Sequence, residues 1–184
     1  MPAGRAQGEP LEGVVEEQNY CATCGTPLAT VMVEGNPRRF CPACRRPVFL
    51  NPKLVAAAVV RGPGGVLLIR RNLEPGKGLW AIPGGYVDRG EVVEAAVARE
   101  VVEETGLSIV VKGLIGLYSD DGAVVVLAAF AAEAAGGELT DRSSEVQAVG
   151  FFPVDELPTL AFPRDARVIQ DWLRWLQSPA APRP

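Results

Sequence analysis

The segment from Gly84 to Leu107, GGYVDRGEVVEAAVAREVVEETGL, constrains the fold of this chain more than any other. Its central part predicts a helix over 91–105. An α-helix advances about 100° per residue, which brings Glu100, Glu103 and Glu104 within an arc of about 100° on one side. Clustered carboxylates repel unless cations compensate them, and hard oxygen donors suit Mg²⁺ or Mn²⁺. A divalent-metal site is therefore expected on this helix. Around its remaining surface lie Val93, Ala95, Val97, Ala98, Val101 and Val102, a spread that predicts packing on most sides. The competing reading is a solvated acidic face with Arg99 paired to Glu103 at i,i+4.

Ahead of this helix, Leu79-Trp80-Ala81-Ile82-Pro83-Gly84-Gly85 ends in a proline and two glycines and reads as the loop entering it. Gly106 follows Thr105 where a left-handed C-cap is needed.

Cys21-x2-Cys24 and Cys41-x2-Cys44 are separated by sixteen residues and use all 4 cysteines of the chain. This spacing suits a zinc ribbon, and turn formers (Gly25 and Pro27, Pro42 and Pro47) stand beside each pair as two knuckles require. Disulfides are disfavoured because no secretory signal precedes the pairs. Zinc held by four thiolates has no open position, so this metal stabilises folding and the chemistry lies elsewhere.

The rest of the chain supports that division. Residues 1–18 read as a disordered arm, 19–48 as the ribbon, 49–177 as a larger catalytic domain entered through Asn51-Pro52, and the proline- and alanine-rich 178–184 as a disordered tail. Leu54–Arg61 and Val66–Arg71 predict a hairpin about Gly62-Pro63-Gly64-Gly65. Leu107–Tyr118, Ala123–Ala132 and Glu145–Phe152 predict further strands. A closing helix near 164–177 carries Val168, Ile169, Trp172, Leu173 and Leu176 at helical intervals. The expected fold class is α/β (α+β): a mixed sheet between two helices, preceded by the ribbon.

Charge and hydropathy exclude other classes. The chain has 18 basic and 22 acidic side chains, which argues against binding to nucleic acid, and its longest apolar run, Ala123–Ala132, is too short to cross a bilayer. Histidine is absent, so carboxylates must do the acid–base work. A cytoplasmic protein acting on a small molecule is expected.

Gly85, five residues, Glu91, seven residues, Arg99-Glu100-Val101, one residue, Glu103-Glu104, one residue, Gly106-Leu107 resembles, position for position, the signature of the Nudix (MutT-like) hydrolases. The order of ribbon, hairpin, box and Leu157-Pro158-Thr159-Leu160-Ala161-Phe162-Pro163 resembles most the zinc-ribbon members that include FAD/ADP-ribose pyrophosphatases. NADH pyrophosphatases share the layout but carry an SQPWPFP-type motif where this chain reads Tyr118-Ser119-Asp120-Asp121-Gly122. The resemblance implies an α/β/α sandwich and metal-dependent attack of water on phosphorus in a nucleoside diphosphate derivative such as ADP-ribose or FAD. It assigns two or more Mg²⁺ or Mn²⁺ ions to the Gly84 carbonyl, Glu100 and Glu104, with Glu103 a further ligand or helper. Glu91 and Arg99 hold the loop to the helix, and Gly85 and Gly106 complete the box. Glu103 and Glu145 are both candidates for the general base. Arg70 and Arg71 are candidate phosphate clamps, and Tyr118 and Phe162 candidate base-stacking aromatics. NADH, NAD or nucleoside triphosphates are alternative substrates. Another class is a nucleotide or ADP-ribose sensor whose ribbon arginines, Arg38, Arg39, Arg45 and Arg46, contact a partner; the intact glutamate set speaks against it. A homodimer is in keeping with this family.

Overall fold

A computed structural model of the chain describes residues 18–141 and 143–177. The expected arm, apart from Gln18, and the expected tail lie outside the described residues. The chain divides into two compact units, one running to Pro52 and taking in Gly122–Val124, the other made of Lys53–Asp121 and the chain from Val125.

The first unit is a three-stranded antiparallel sheet of β1 (Ala29–Val33), β2 (Asn36–Cys41) and β3 (Arg46–Val48), in that order. Its core is small: Cys21, Leu28 and Cys41 are buried, with Cys44 and Val48 packed against them. So few apolar side chains make only a marginal core for such a short segment, and all four cysteines of the unit are free thiols.

The second unit is built on a mixed sheet. Its strands are β4 (Lys53–Gly62), β5 (Gly65–Arg71), β6 (Trp80–Ala81), β7 (Gly84–Tyr86), β8 (Leu107–Tyr118), β9 (Val125–Gly137) and β10 (Val146–Phe152). The main path is β10-β5-β4-β9-β8, with β4 and β9 parallel and the other neighbours antiparallel. Helix α1 (Val93–Thr105) lies on one face and α2 (Pro163–Gln177) on the other. Strand periodicity sorts the core between them. Ala56, Ala58, Val60, Ala128, Phe130 and Ala132 pack with Ala96, Val97 and Val101 of α1. Their alternates, including Ala57, Val59, Leu127, Ala129 and Ala131, pack with Val168, Ile169 and Trp172 of α2. Because both faces are covered, β4 and β9 are apolar without alternation.

Two expectations need correction. The helix over 91–105 begins at Val93, and it is not packed on most sides: Ala95 is exposed and Val102 is 46% exposed. A helix lying on one sheet face buries one stripe, here Ala96, Val97 and Val101, and among the described residues none covers its back. Residues 79–85 are also more than a loop. The β4–β5 hairpin pairs only beside its turn, at Arg61–Val66 and Gly62–Gly65, after which the strands splay. Short strands fill the widening gap, β6 on the edge of β5 and β7 on the edge of β4. Runs of two and three residues broken by Pro83 were too short to leave a strand signal.

Candidate active site

The gap between β5 and β4 is where the acidic side chains of α1 arrive. Glu104 continues the buried stripe of α1, seven residues after Val97 and three after Val101, so its carboxylate is carried inward and is only 7% exposed. It accepts a hydrogen bond from the Gly84 N–H at 2.8 Å. Desolvation pushes its pKa up to about 8 despite that bond, with the nearby charges of Glu100 and Glu145 adding to the rise. Glu100 lies at the flank of the stripe; burial also raises its pKa, against the pull of Arg99. Glu103 points out, with a side chain 57% exposed.

Strand β7 presents its backbone to these groups. The Pro83 carbonyl accepts from Ala58 N–H at 3.0 Å and Val87 N–H donates to Leu54 at 3.0 Å, so the alternate residues Gly84 and Tyr86 turn their polar groups away from β4. The Gly84 N–H meets Glu104, and the Tyr86 carbonyl accepts from Arg99 Nη2 at 3.2 Å. Both glycines are sterically required. A Cβ at Gly84 would strike Ala57, and one at Gly85 would strike the Glu100 carboxyl group.

Arg99 ties this edge to the helix. Its Nε and Nη2 donate to the two oxygens of Glu91 at 2.9 and 3.0 Å, and its Nη1 donates to Glu100 at 2.8 Å and Glu103 at 3.3 Å. Glu91 also accepts the Asp88 N–H, and the Arg99 guanidinium first, then that N–H, hold its pKa down at about 2. Both readings of Arg99 are thus present: it pairs with Glu103, and it joins the loop to the helix. Gly106 caps α1 at φ 74°, its N–H donating to Val102.

The candidate substrate residues separate. Arg70 is exposed and donates to the Gly78 carbonyl, while Arg71 is half-buried, donates to the Pro75 carbonyl and lies close enough to Glu104 to lower its pKa. Phe162 is half-buried, with the guanidinium carbons of Arg71 and Arg164 at 5.1 and 4.8 Å from its ring centre. Tyr118 is not in the gap: it is 7% exposed in the core beneath α2, and its hydroxyl donates to Asp171 at 3.0 Å. An aromatic that ends a two-sided strand is taken up by the core, which corrects its assignment as a stacking platform. Glu145 is exposed just before β10, and its charge is felt at both Glu100 and Glu104.

Asp165 was missed in the sequence. It is 2% exposed, and its Oδ2 accepts the Ile82 N–H at 3.3 Å. Its signal was available, since it lies on the apolar stripe of α2 three, four and seven residues before Val168, Ile169 and Trp172.

In the first unit the sulfur atoms of Cys21, Cys24, Cys41 and Cys44 all lie within 4.8 Å of one another. Tetrahedral zinc with bonds of about 2.3 Å sets its sulfurs about 3.8 Å apart. Cys24 stands 3.5 Å from Cys41 and 3.4 Å from Cys44, and Cys21 stands 3.9 Å from Cys44. The Cys44 N–H points to the Cys41 sulfur at 3.2 Å. Backbone N–H groups of Thr23 and Cys24 pull Cys21 down to about 6, whereas hydrogen bonding with Cys24 and then Cys41 pushes Cys44 up to about 12. Protons crowded among four thiols are what a bound cation displaces.

A NUDIX domain model matches residues 51–176, more than half of the chain. The chain belongs to the Nudix family. It is 39% identical over 132 residues to an ADP-ribose pyrophosphatase of Methanocaldococcus jannaschii, a match spanning 70% of this chain and 77% of that one. It is 32% identical to an NAD-capped RNA hydrolase NudC of Stutzerimonas stutzeri, over 79% of this chain but only 52% of the relative. A similar enzyme of Deinococcus radiodurans is also 32% identical, over 86% and 58%, so the chain spans little more than half the length of these NudC relatives. Among solved structures, a NUDIX hydrolase from Nitrosomonas europaea superposes with a TM-score of 0.80 at 26% identity, covering 90% of this chain and 97% of that one. An ADP-ribose pyrophosphatase from Streptococcus suis superposes with a TM-score of 0.62 at 29% identity, over 72% and 97%. This Nudix hydrolase therefore has the mixed-sheet sandwich of the family together with a four-cysteine unit. Among the described residues no helix is long and apolar enough to cross a membrane.

Proposed function

We propose that this Nudix hydrolase cleaves the diphosphate linkage of a nucleoside diphosphate derivative, with ADP-ribose the leading substrate and FAD in the same class. The convergence of Glu104, Glu100 and the Gly84 backbone in the gap between β5 and β4 carries this reading. Glu104 is buried with one neutral hydrogen-bond donor, and burial raises the pKa of both carboxylates. Such under-compensated oxygens fit a hard divalent cation. Glu100, Glu104 and the Gly84 carbonyl would hold Mg²⁺ or Mn²⁺, with Glu103 at the exposed rim. When bound, these ions neutralise charge on the diphosphate and acidify coordinated water.

The chain's own residues do the rest. Arg99 and Glu91 brace β7 against α1, keeping the Gly84 backbone in register with Glu104. The charge of Arg71 lies close enough to lower the pKa of Glu104, and a guanidinium there suits phosphate oxygens. Glu145 takes the proton of the attacking water. It lies near both Glu100 and Glu104 and its carboxylate accepts no hydrogen bond among the described residues, whereas Glu103 is engaged by Arg99. The water oxygen bonds to phosphorus, the bond to the bridging oxygen breaks, and two phosphate monoesters leave.

ADP-ribose is favoured over NADH by two observations. The pyrophosphatase from M. jannaschii is matched over 77% of its length, and Tyr118-Ser119-Asp120-Asp121-Gly122 replaces the NADH-type motif. The four cysteines would hold one zinc ion, which would stabilise their own unit. Phosphate-ester release from ADP-ribose, FAD, NADH, an NAD-capped RNA oligonucleotide and nucleoside triphosphates, with Mg²⁺ or Mn²⁺, tests the reading. AMP release fastest from ADP-ribose and lost in Glu104→Gln is expected. Metal-dependent release from none of them, or undiminished turnover in Glu104→Gln, would overturn it, and preference for capped RNA would move the substrate to the NudC class.

A further inference from the structure

The crossing Ile82-Pro83-Gly84, which carries the chain from the edge of β5 to the edge of β4, is held from both helical layers. The Ile82 N–H donates to Asp165 of α2 at 3.3 Å, and two residues later the Gly84 N–H donates to Glu104 of α1 at 2.8 Å. Pro83 between them has no N–H, and its carbonyl accepts from Ala58 at 3.0 Å. Both N–H groups of the crossing therefore end on buried carboxylates that approach from opposite faces of the sheet.

Asp165 is a costly way to meet one N–H. A carboxylate 2% exposed gives up its hydration, and the nearest cation compensates it poorly: Arg164 Nε stands 3.9 Å from Oδ1, beyond a good hydrogen bond. Its one hydrogen bond from another segment goes to Ile82. On the far side of Gly84 the strand is fixed by its pairing with β4 and by Arg99 at the Tyr86 carbonyl, whereas on the near side its placement depends on how Ile82 and Pro83 are held. With Ile82 held by Asp165 and Pro83 by Ala58, the Gly84 N–H and C=O have a single placement.

We infer that Asp165 is a positioning residue for divalent-cation binding: by holding Ile82 it sets the Gly84 backbone against Glu104, which makes α2 a support of the site. The inference rests on the reading of Gly84, Glu100 and Glu104 as the Mg²⁺ or Mn²⁺ site. What matters at position 165 is an acceptor for the Ile82 N–H, not the charge.

Mn²⁺ binding to the full-length, zinc-loaded protein without substrate, followed by the electron paramagnetic resonance of free Mn²⁺, tests it. Asp165→Leu keeps the side-chain shape without an acceptor, and Asp165→Asn keeps shape and acceptor without charge. Mn²⁺ affinity should fall about tenfold in Asp165→Leu, the scale for losing a partner that orients a metal ligand, and return to within about twofold of the parent in Asp165→Asn. In turnover, kcat should fall in Asp165→Leu with KM for ADP-ribose little changed. If Asp165→Leu does not fold, Asp165→Ala takes its place with the same expectation. Parent-like Mn²⁺ affinity in the folded Leu or Ala variant, or an Asn variant as weak as they are, overturns the inference. Glu104→Gln is the control: if it binds no Mn²⁺ while Asp165→Leu binds normally, only the positioning role fails. If Glu104→Gln binds as the parent does, the site itself is misassigned and the inference falls with it.

Discussion

A Cβ placed on Gly85 would overlap the carboxyl group of Glu100, so the strand can lie against the helix only because position 85 has no side chain. Gly85→Ala should leave the sheet intact and push Glu100 off its position. Displacing a reacting geometry by about 1 Å costs roughly 100-fold in rate, and a loss of that order in kcat with circular dichroism unchanged is expected. Activity within a few-fold of the parent would mean that Glu100 is not needed where it stands.

The buried Asp165 gives stability a pH dependence whose sign is fixed. Desolvation raises its pKa from 3.8 to about 6, so the folded state binds its proton more tightly than the unfolded state. The favourable contribution is complete below the unfolded value and is lost as pH rises through about 6. Relative to Asp165→Asn, the parent should gain melting temperature as pH falls from about 7 to about 4. A constant difference between the two proteins across this range would show that Asp165 titrates normally.

The sandwich was legible because its strongest signals are periodic. Helix α2 carries an apolar stripe at helical intervals, and β4 and β9 are continuous apolar runs that only a two-sided sheet explains. The box residues were legible through their spacing, and their geometry adds that Glu104, not Glu103, continues the buried stripe. What could not be read was local competition. Tyr118 and Phe162 are both aromatics near the ends of elements, and tertiary packing alone sends one under α2 and leaves the other beside Arg71. The splayed hairpin was equally hidden, since nothing in the Leu54–Arg61 and Val66–Arg71 runs records where pairing stops.

The two cysteine knuckles match in backbone but not in sequence. Gly25 follows Cys24 at φ 70° and Arg45 follows Cys44 at φ 55°, the same left-handed position in each loop. A side chain there costs about 1 kcal/mol, which the first knuckle avoids and the second bears. Gly25→Ala should therefore destabilise the unit by about 1 kcal/mol, and Arg45→Gly should be neutral or stabilising by a few tenths. Denaturant midpoints followed by zinc release would check both, and equal loss from the two changes would refute the equivalence.

Removing a ligand should separate the two metals. Cys41 is fully buried at the centre of the small core, so Cys41→Ser removes a thiolate and leaves a buried hydroxyl in its place. Metal analysis should find one zinc per parent chain and little in the variant, whose first unit should unfold at lower temperature while the Glu104 site still binds Mn²⁺. A zinc-free variant as stable as the parent would defeat the structural role.

Arg70 and Arg71 are neighbours on β5 with opposite surroundings. Arg70 is exposed and joined to the Gly78 carbonyl, whereas Arg71 stands beside Phe162 and its charge reaches Glu104 and Asp165. A guanidinium that close to the carboxylates meets the diphosphate of any substrate bound between them, and a charge-assisted hydrogen bond lost there costs about 1.5–3 kcal/mol. Arg71→Ala should therefore lower kcat/KM for ADP-ribose by roughly tenfold to a hundredfold, and Arg70→Ala by no more than about twofold. Arg71→Lys restores charge without the planar fork, so only partial recovery is expected. Equal losses at the two positions would place the diphosphate elsewhere. Loss confined to Arg70→Ala would turn the clamp to the outer side of β5.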